Sequence, residues 1–267
     1  MDFGLLGLCA LTFVIQLIGT LAYAVRIAGV RTRRIAVSFA LFNVLVLVSR
    51  MSNTLQGPYL AKRIESVLHG HIPNHLLTDF RWLLVAGTLG TAAGALIVPT
   101  FQRLFSRAVV HFQVHRSIPR LLMHAFAKGG LSYIRDSVTV PDPRHVRDLT
   151  LAKGLSPRVI VLNVAAQALV TVAVMASLYA GALSPTYRVT ASQLSSVING
   201  AATILLVLFI DPYLSIMTDD VVEGRVSESH FRRAVVWLTG ARVAGTVLAQ
   251  FLLVPSAALI ALVASHI

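Results

Sequence analysis

Apolar and polar positions along this chain alternate on the scale of whole bilayer crossings rather than single turns. A hydrocarbon core of about 30 Å needs about 20 mostly apolar residues of helix to span it. Six stretches meet that length: Phe3–Ala24, Ile35–Gln56, Phe80–Val98, Val159–Leu183, Ser192–Ile210 and Ala234–Val254. Whether the sixth runs on past Pro255 is left open by the pattern. The second is the least uniform, because Ser49, Arg50, Ser52, Asn53, Thr54 and Gln56 crowd its last turns. The first ends in a small-residue box, Ala22-Tyr23-Ala24, like that of a signal peptide. It lacks a basic start and is longer than a 7–15-residue signal core, so it reads as an uncleaved span.

The six stretches divide three and three around a long polar segment, and short phrases recur across the division. Val85-Ala86-Gly87-Thr88 returns as Val243-Ala244-Gly245-Thr246, and each copy runs on to a Val-Pro, at Val98-Pro99 and Val254-Pro255. Tyr23-Ala24 is echoed by Tyr179-Ala180, Asn43 by Asn199, and Pro58-Tyr59-Leu60 by Pro212-Tyr213-Leu214. All fall in one order, at offsets of 154 to 158 residues. Three spans per copy is an odd number, so the two copies must enter the membrane with opposite orientation. This inverted repeat is the plan of many transporters. The expected fold is an all-α membrane protein of about six transmembrane helices, built as a 3+3 inverted-topology repeat. Its parts are a first repeat over 1–98, a connector over 99–158 and a second repeat over 159–267.

Composition agrees with a membrane protein. Hydrophobic residues make up 56% of the 267, and charged residues only 13%, about half of what soluble domains carry. Formal net charge is +12, almost all of it from arginine, since the lysines are Lys62, Lys128 and Lys153. That charge is interleaved with apolar runs, which argues against a nucleic-acid surface. Its distribution sets orientation, because Lys and Arg favour cytoplasmic loops. Arg26, Arg31, Arg33 and Arg34 flank the first loop, the third is basic from Arg103 to Arg158, and Arg225, Arg232 and Arg233 fill the fifth. The second and fourth loops have only Arg50, Lys62, Arg63, Arg81 and Arg188. Both termini are therefore expected outside the cytoplasm. A single cysteine, Cys9, forbids an internal disulfide.

The loops carry their own patterns. Residues 59–68 read as a short amphipathic helix in the second loop, ended by Gly70 and Pro73. His69, His71 and His75 follow, without the carboxylates or thiols that would complete a metal site. In the connector, Arg103, Arg107, His111 and His115 recur every four residues, as do Arg116, Arg120, His124 and Lys128. Phenylalanine, leucine and valine lie between them. This pattern predicts amphipathic cytoplasmic helices on an anionic leaflet. Surface anchoring is the plainer role of this stripe, and substrate contact the sharper one.

Polar groups at membrane depth are costly and mark function by default. Arg242 lies well inside the sixth span, and Arg50 near one end of the second. Asn43, Asn53, Gln56 and Asn199 add uncharged hydrogen-bonding groups, whose ordinary role is to join helices. Asn43 and Asn199 also occupy equivalent places in the repeat. Gly87, Gly90, Gly94, Gly240 and Gly245 offer small surfaces for close helix crossing.

Acids are scarce, yet Asp211, Asp219, Asp220 and Glu223 fall together at the end of the fifth span, beside Pro212. Asp219 and Asp220 suit a cap and solvated turn. Asp211 sits at the expected cytoplasmic mouth, where it can pair with an arginine of the first loop, gate, or carry a coupling ion. An intramembrane transferase using Mg²⁺ and lipid pyrophosphate is a second reading of these acids. It lacks the second acidic motif such enzymes use. No Walker loop, nucleophile elbow or His-Glu-x-x-His is present, and the sequence calls for no cofactor or metal.

Two blocks carry a family resemblance. One is Arg26 to Asn53, RIAGVRTRRIAVSFALFNVLVLVSRMSN. The other is Phe209-Ile210-Asp211-Pro212-Tyr213-Leu214-Ser215 with Met217-Thr218-Asp219-Asp220. The chain resembles the Amj family of bacterial membrane proteins, the alternate lipid II flippases, over nearly its whole length. The resemblance implies translocation of undecaprenyl-pyrophosphate-linked peptidoglycan precursor from the inner to the outer leaflet of the cytoplasmic membrane. It assigns no individual residues. On that reading Arg26, Arg31, Arg50 and Arg242 are expected to neutralise the pyrophosphate, since arginine matches phosphate oxygens bidentately. Asn43, Asn53, Gln56 and Asn199 are expected to bond the sugar and peptide. Asp211, Asp219 and Asp220 are expected at the gate, and anionic lipids at the basic connector. Alternating access through a cationic cavity is the expected mechanism. Transport of another polyprenyl-phosphate lipid and ion-coupled export stay open beside it.

Overall fold

The computed structural model describes residues 2–70, 75–115 and 155–267, and these are almost entirely helical. In chain order they form α1 (Phe3–Thr32), α2 (Ile35–Leu68), α3 (Leu76–His115), α4 (Pro157–Leu183), α5 (Arg188–Leu205), α6 (Asp211–Val222) and α7 (Glu228–His266). A 3-10 turn over Pro185–Tyr187 joins α4 to α5, and a π turn over Leu206–Ile210 joins α5 to α6. Taking α5 to α6 as one crossing, six helical segments among the described residues are long and apolar enough to cross a membrane. The protein is a multi-pass membrane protein.

Local chemistry sets the helix ends. Asp2 caps α1 by accepting from the Leu5 N–H at 2.7 Å. Arg33 then adopts a left-handed conformation with φ 54°, and the Arg33 and Arg34 N–H groups close onto the last carbonyls of α1. That tight reversal leads straight into α2. Ser156 and Ser227 cap α4 and α7.

Several helices are longer than the predicted spans. The stretch 59–68 is not a separate surface helix but the last part of α2, which passes through Pro58. Leu60, Ile64 and Val67 recur along it and are buried, so packing holds the helix although Pro58 cannot donate to the preceding turn. Likewise α3 passes through Pro99 as far as His115, carrying Arg103 and Arg107 as a helical extension. Past Pro255, α7 continues to His266. The fifth span is the broken one. Pro212 removes a donor and crowds the carbonyl a turn before it, and the backbone relaxes into the wider π turn. The rest of the connector, 116–154, lies outside the described residues, as do His71 and Pro73.

The packing has the same form on both sides of the connector. Among the first three helices, α1 lies along both α2 and α3, while α2 and α3 touch little. After the connector, α4 lies along both α5 and α7, while α5 and α7 touch little. The glycines of the repeated phrase share this role. A Cβ on Gly87 would lie 3.4 Å from Thr12 and 3.5 Å from Gln16 of α1, and one on Gly245 would lie 2.7 Å from the Val164 carbonyl of α4. At Gly90 the approach is closer still, 2.3 Å from the Phe13 carbonyl oxygen, so only glycine fits.

Two apolar clusters occupy opposite ends of the bundle. One gathers Leu8, Ile64, Leu84, Met175, Leu253 and Ile260 with their neighbours. The other gathers Ile27, Val98, Leu214, Phe231 and Leu238 with theirs. Exposed apolar side chains such as Leu47, Leu55, Val197 and Leu208 cover α2 and the α5–α6 crossing, as lipid-facing surfaces require.

Candidate functional site

Between the two apolar ends lies a belt of buried polar side chains. Gln16 of α1, Gln167 and Thr171 of α4, Asn163 of α4 and Thr246 of α7 are all buried. Gln167 donates to Gln16 Oε1 at 3.4 Å and to the Thr171 hydroxyl at 3.1 Å. Asn163 donates to the Leu238 carbonyl at 2.9 Å, across to α7. Uncharged amides here bridge helices, as polar residues in lipid do.

Arg242 enters this belt from α7. Its Nη2 donates to Gln16 Oε1 at 3.4 Å, and it also bonds the Tyr23 side chain. Its Nε is buried without a hydrogen-bond partner. Among the described residues no carboxylate forms an ion pair with it. Gly19 of α1 makes the room, since a Cβ there would come 2.6 Å from Nη2. The guanidinium thus keeps a buried donor unpaired in the interior of the bundle.

The two ends of the bundle differ. Where α2 ends and α5 begins, a cavity of about 610 Å³ separates the two helices. That is within the range of small-molecule sites, roughly 300–1,000 Å³. Asn53, Thr54 and Glu65 face it from α2, and Arg188, Ser192, Ser195, Ser196 and Asn199 from α5. Arg188 and Glu65 approach to 3.8 Å across it. At the opposite end the corresponding space is only about 60 Å³, lined by Arg26, Ser38, Phe39, Ser215, Thr218 and Asp219. There Arg26 Nη2 meets Asp211 Oδ1 at 2.7 Å, with the guanidinium over the Phe42 ring at 4.3 Å.

The predicted site residues thus fall in different places. Arg242 lies in the central belt. Asn53 and Asn199 line the large cavity, while Asn43 is exposed on α2 outside its lining. Gln56 is buried and donates to the Thr12 hydroxyl at 2.5 Å, joining α2 to α1. Arg26 and Asp211 form the ion pair at the small cavity, and Asp219 lines it. Asp220 is bound by Arg225 at 2.6 Å in the turn after α6. Arg31 and Arg50 are exposed. Among the described residues no three His, Cys, Asp or Glu side chains gather as a metal site would require.

The sequence reading missed Arg188, Glu65 and the hydroxyl face of α5. A signal was present: Ser192, Ser195, Ser196 and Asn199 follow the three- and four-residue spacing of one helix face. Gln16 and Gln167 are amides whose ordinary role is to join helices, and here they join α1 to α4.

Comparison with known proteins agrees along nearly the whole chain. A family model described as Amj, alternate to MurJ, matches residues 11–264. A curated relative, the lipid II flippase Amj of Bacillus subtilis (strain 168), is 36% identical over 249 residues, covering 93% of this chain and 92% of the relative. No solved structure matches.

Proposed function

The chain belongs to the Amj family, and we propose on that premise that it is a lipid II flippase, a transporter rather than an enzyme. The observation that carries this reading is the 36% identity with the Bacillus subtilis lipid II flippase along 93% of the chain. Its cargo is the undecaprenyl-pyrophosphate-linked peptidoglycan precursor. The direction is from the inner to the outer leaflet of the bacterial cytoplasmic membrane, with both termini outside the cytoplasm.

The mechanism is alternating access between two inverted three-span repeats, 1–98 and 159–267, joined by the basic connector. Three features support it. The first helix of each half holds the other two, the second crossing of each half is the most lipid-exposed, and the repeated glycines pack on equivalent helices. The head passes the polar belt, where Arg242 takes the pyrophosphate. The tail stays in lipid, and Asn53 and Asn199 bond sugar or peptide in the large cavity. Arg31 and Arg50 attract the anionic head from the surface, with Asn43 beside its route. Gln56 fixes α2 against α1. Asp211 and Asp219 gate the narrow end, and Asp220 braces the turn that follows them. The connector rests on anionic lipid.

Rescue of cells depleted of their main lipid II flippase tests this function. Growth and normal cell shape on expression of the chain are expected. Failure to rescue by well-expressed protein, with uptake of another polyprenyl-phosphate lipid by proteoliposomes, would instead assign a different cargo. Divalent-dependent turnover of a lipid pyrophosphate would assign a transferase.

A further inference from the structure

The large cavity is more than a passage, because it contains a cation whose partner is poorly held. Arg188 opens α5, and its stem lies over Gly181 of α4, where a Cβ would come 3.1 Å from Arg188 Cγ. Its side chain is 30% exposed. Glu65, on α2 beyond Pro58, is 57% exposed and reaches Arg188 only at 3.8 Å, with no hydrogen bond between them. The arginine is built into the wall, and the carboxylate reaches in from the far side. Ser192, Ser196 and Asn199 continue from Arg188 along the same wall and offer hydroxyl and amide groups.

A related arrangement stands at the other end. Arg26 is on the first helix of its half, and its carboxylate, Asp211, is on the proline-broken crossing of the other half. Arg188 and Glu65 likewise come from opposite halves, with Glu65 past the proline of α2. One pair is tight over a nearly closed space, and the other is loose over an open one.

We propose that Arg188 is the pyrophosphate-binding side chain of the open cavity, and that Glu65 holds the place of the substrate anion when the cavity is empty. The proposal rests on the lipid II flippase reading. A phosphate oxygen pair meets a guanidinium bidentately, which Glu65 at 3.8 Å does not. An entering pyrophosphate therefore takes Arg188 from Glu65 and frees α2 from α5. The serine and asparagine wall lies where the first sugar follows the pyrophosphate. Departure of the head lets Glu65 return and close this end.

Binding of fluorescent lipid II and of undecaprenyl pyrophosphate to the purified full-length chain tests it, alongside thermal melting. Arg188→Ala is expected to weaken binding of both lipids tenfold or more, and Arg188→Lys to weaken it less, with melting unchanged. Glu65→Gln removes the competitor and is expected to tighten binding several-fold while slowing transport. Binding within twofold of wild type in Arg188→Ala would overturn the proposal. So would loss of binding in Glu65→Gln equal to that in Arg188→Ala, which would make the pair a simple brace. If undecaprenyl pyrophosphate binds with this Arg188 dependence but lipid II does not bind at all, the anion site stands and the lipid II reading falls. If neither lipid depends on Arg188 while the wild type still rescues flippase-depleted cells, only the anion site falls.

Discussion

Arg26 and Asp211, 185 positions apart in the chain, meet at 2.7 Å and join α1 to the break between α5 and α6. The arginine is 6% exposed and the aspartate 43%. The neighbouring Phe39 and Phe42 rings accept the cation on one side. The pair therefore fixes how the broken crossing sits on the first helix.

Removing one partner exposes that dependence. Asp211→Asn removes the charge that compensates the buried Arg26 guanidinium. Deletion from a fully buried pair costs about 3–5 kcal/mol, and the exposure of Asp211 reduces this to roughly 1–3 kcal/mol here. A lower melting temperature and impaired transport are expected in purified protein. An unchanged melt would show that the contact does not hold this end.

Arg242 behaves in the opposite way. It has no ion-pair partner to strand, so Arg242→Ala is expected to leave the melting temperature equal to wild type or higher. Transport is expected to fall tenfold or more in Arg242→Ala and to recover only in part in Arg242→Lys, which lacks the bidentate fork. Gly19→Ala, which displaces the guanidinium, is expected to lie between them. Normal lipid II transport in both Arg242 variants would remove this residue from the path.

Two glycines offer a matched comparison of packing. Gly90→Ala drives a methyl to 2.3 Å from the Phe13 carbonyl oxygen, whereas a Cβ on Gly240 meets nothing within 4 Å. Overpacking costs about 1–3 kcal/mol or more. A drop of several degrees is expected for Gly90→Ala and little change for Gly240→Ala, read by thermal unfolding in detergent. Equal melting of the two would contradict the close α1–α3 crossing.

Orientation is open to thiol labelling in a Cys9→Ala background. Gly70→Cys is expected to react with an impermeant reagent added to intact cells, and Arg225→Cys only after the membrane is opened. Labelling of both from one side would remove the opposed topology on which inverted repeats depend.

Asp2 gives a pH response. The Leu5 N–H above all, with Arg63 beside it, holds its carboxyl below the ordinary value against the opposing effect of desolvation. A folded value below the unfolded one contributes stability that is complete above the unfolded value and is lost as pH falls through the folded one. Asp2→Asn is expected to flatten the acid limb of a melting-temperature profile below about pH 4.

Much of this structure is legible in the sequence. Span positions follow from hydropathy, and Asp211 was placed opposite the arginines of the first loop, among which Arg26 proves to be its partner. The apolar stretches end at Gln56 and Val98, yet Leu60, Ile64 and Val67 beyond the first and Gln102 beyond the second are buried, and packing carries both helices onward through Pro58 and Pro99. Pro212 does interrupt its crossing with a π turn, although Ile210, Leu214 and Met217 beside it are buried as well. Gln56 read as a substrate group, while its amide is taken up by Thr12. The Arg188–Glu65 contact was out of reach, since it joins two helices whose relative placement no local pattern encodes.

The sparse contact between α2 and α5 has a consequence for selectivity. The two crossings line one cavity yet do not pack along their lengths, and their outer faces are apolar. On the proposed path, a carrier chain lying in that seam is solvated by bilayer rather than enclosed. Such a transporter has no ruler for isoprene units: carriers of unequal length bearing the same head present it with the same cargo.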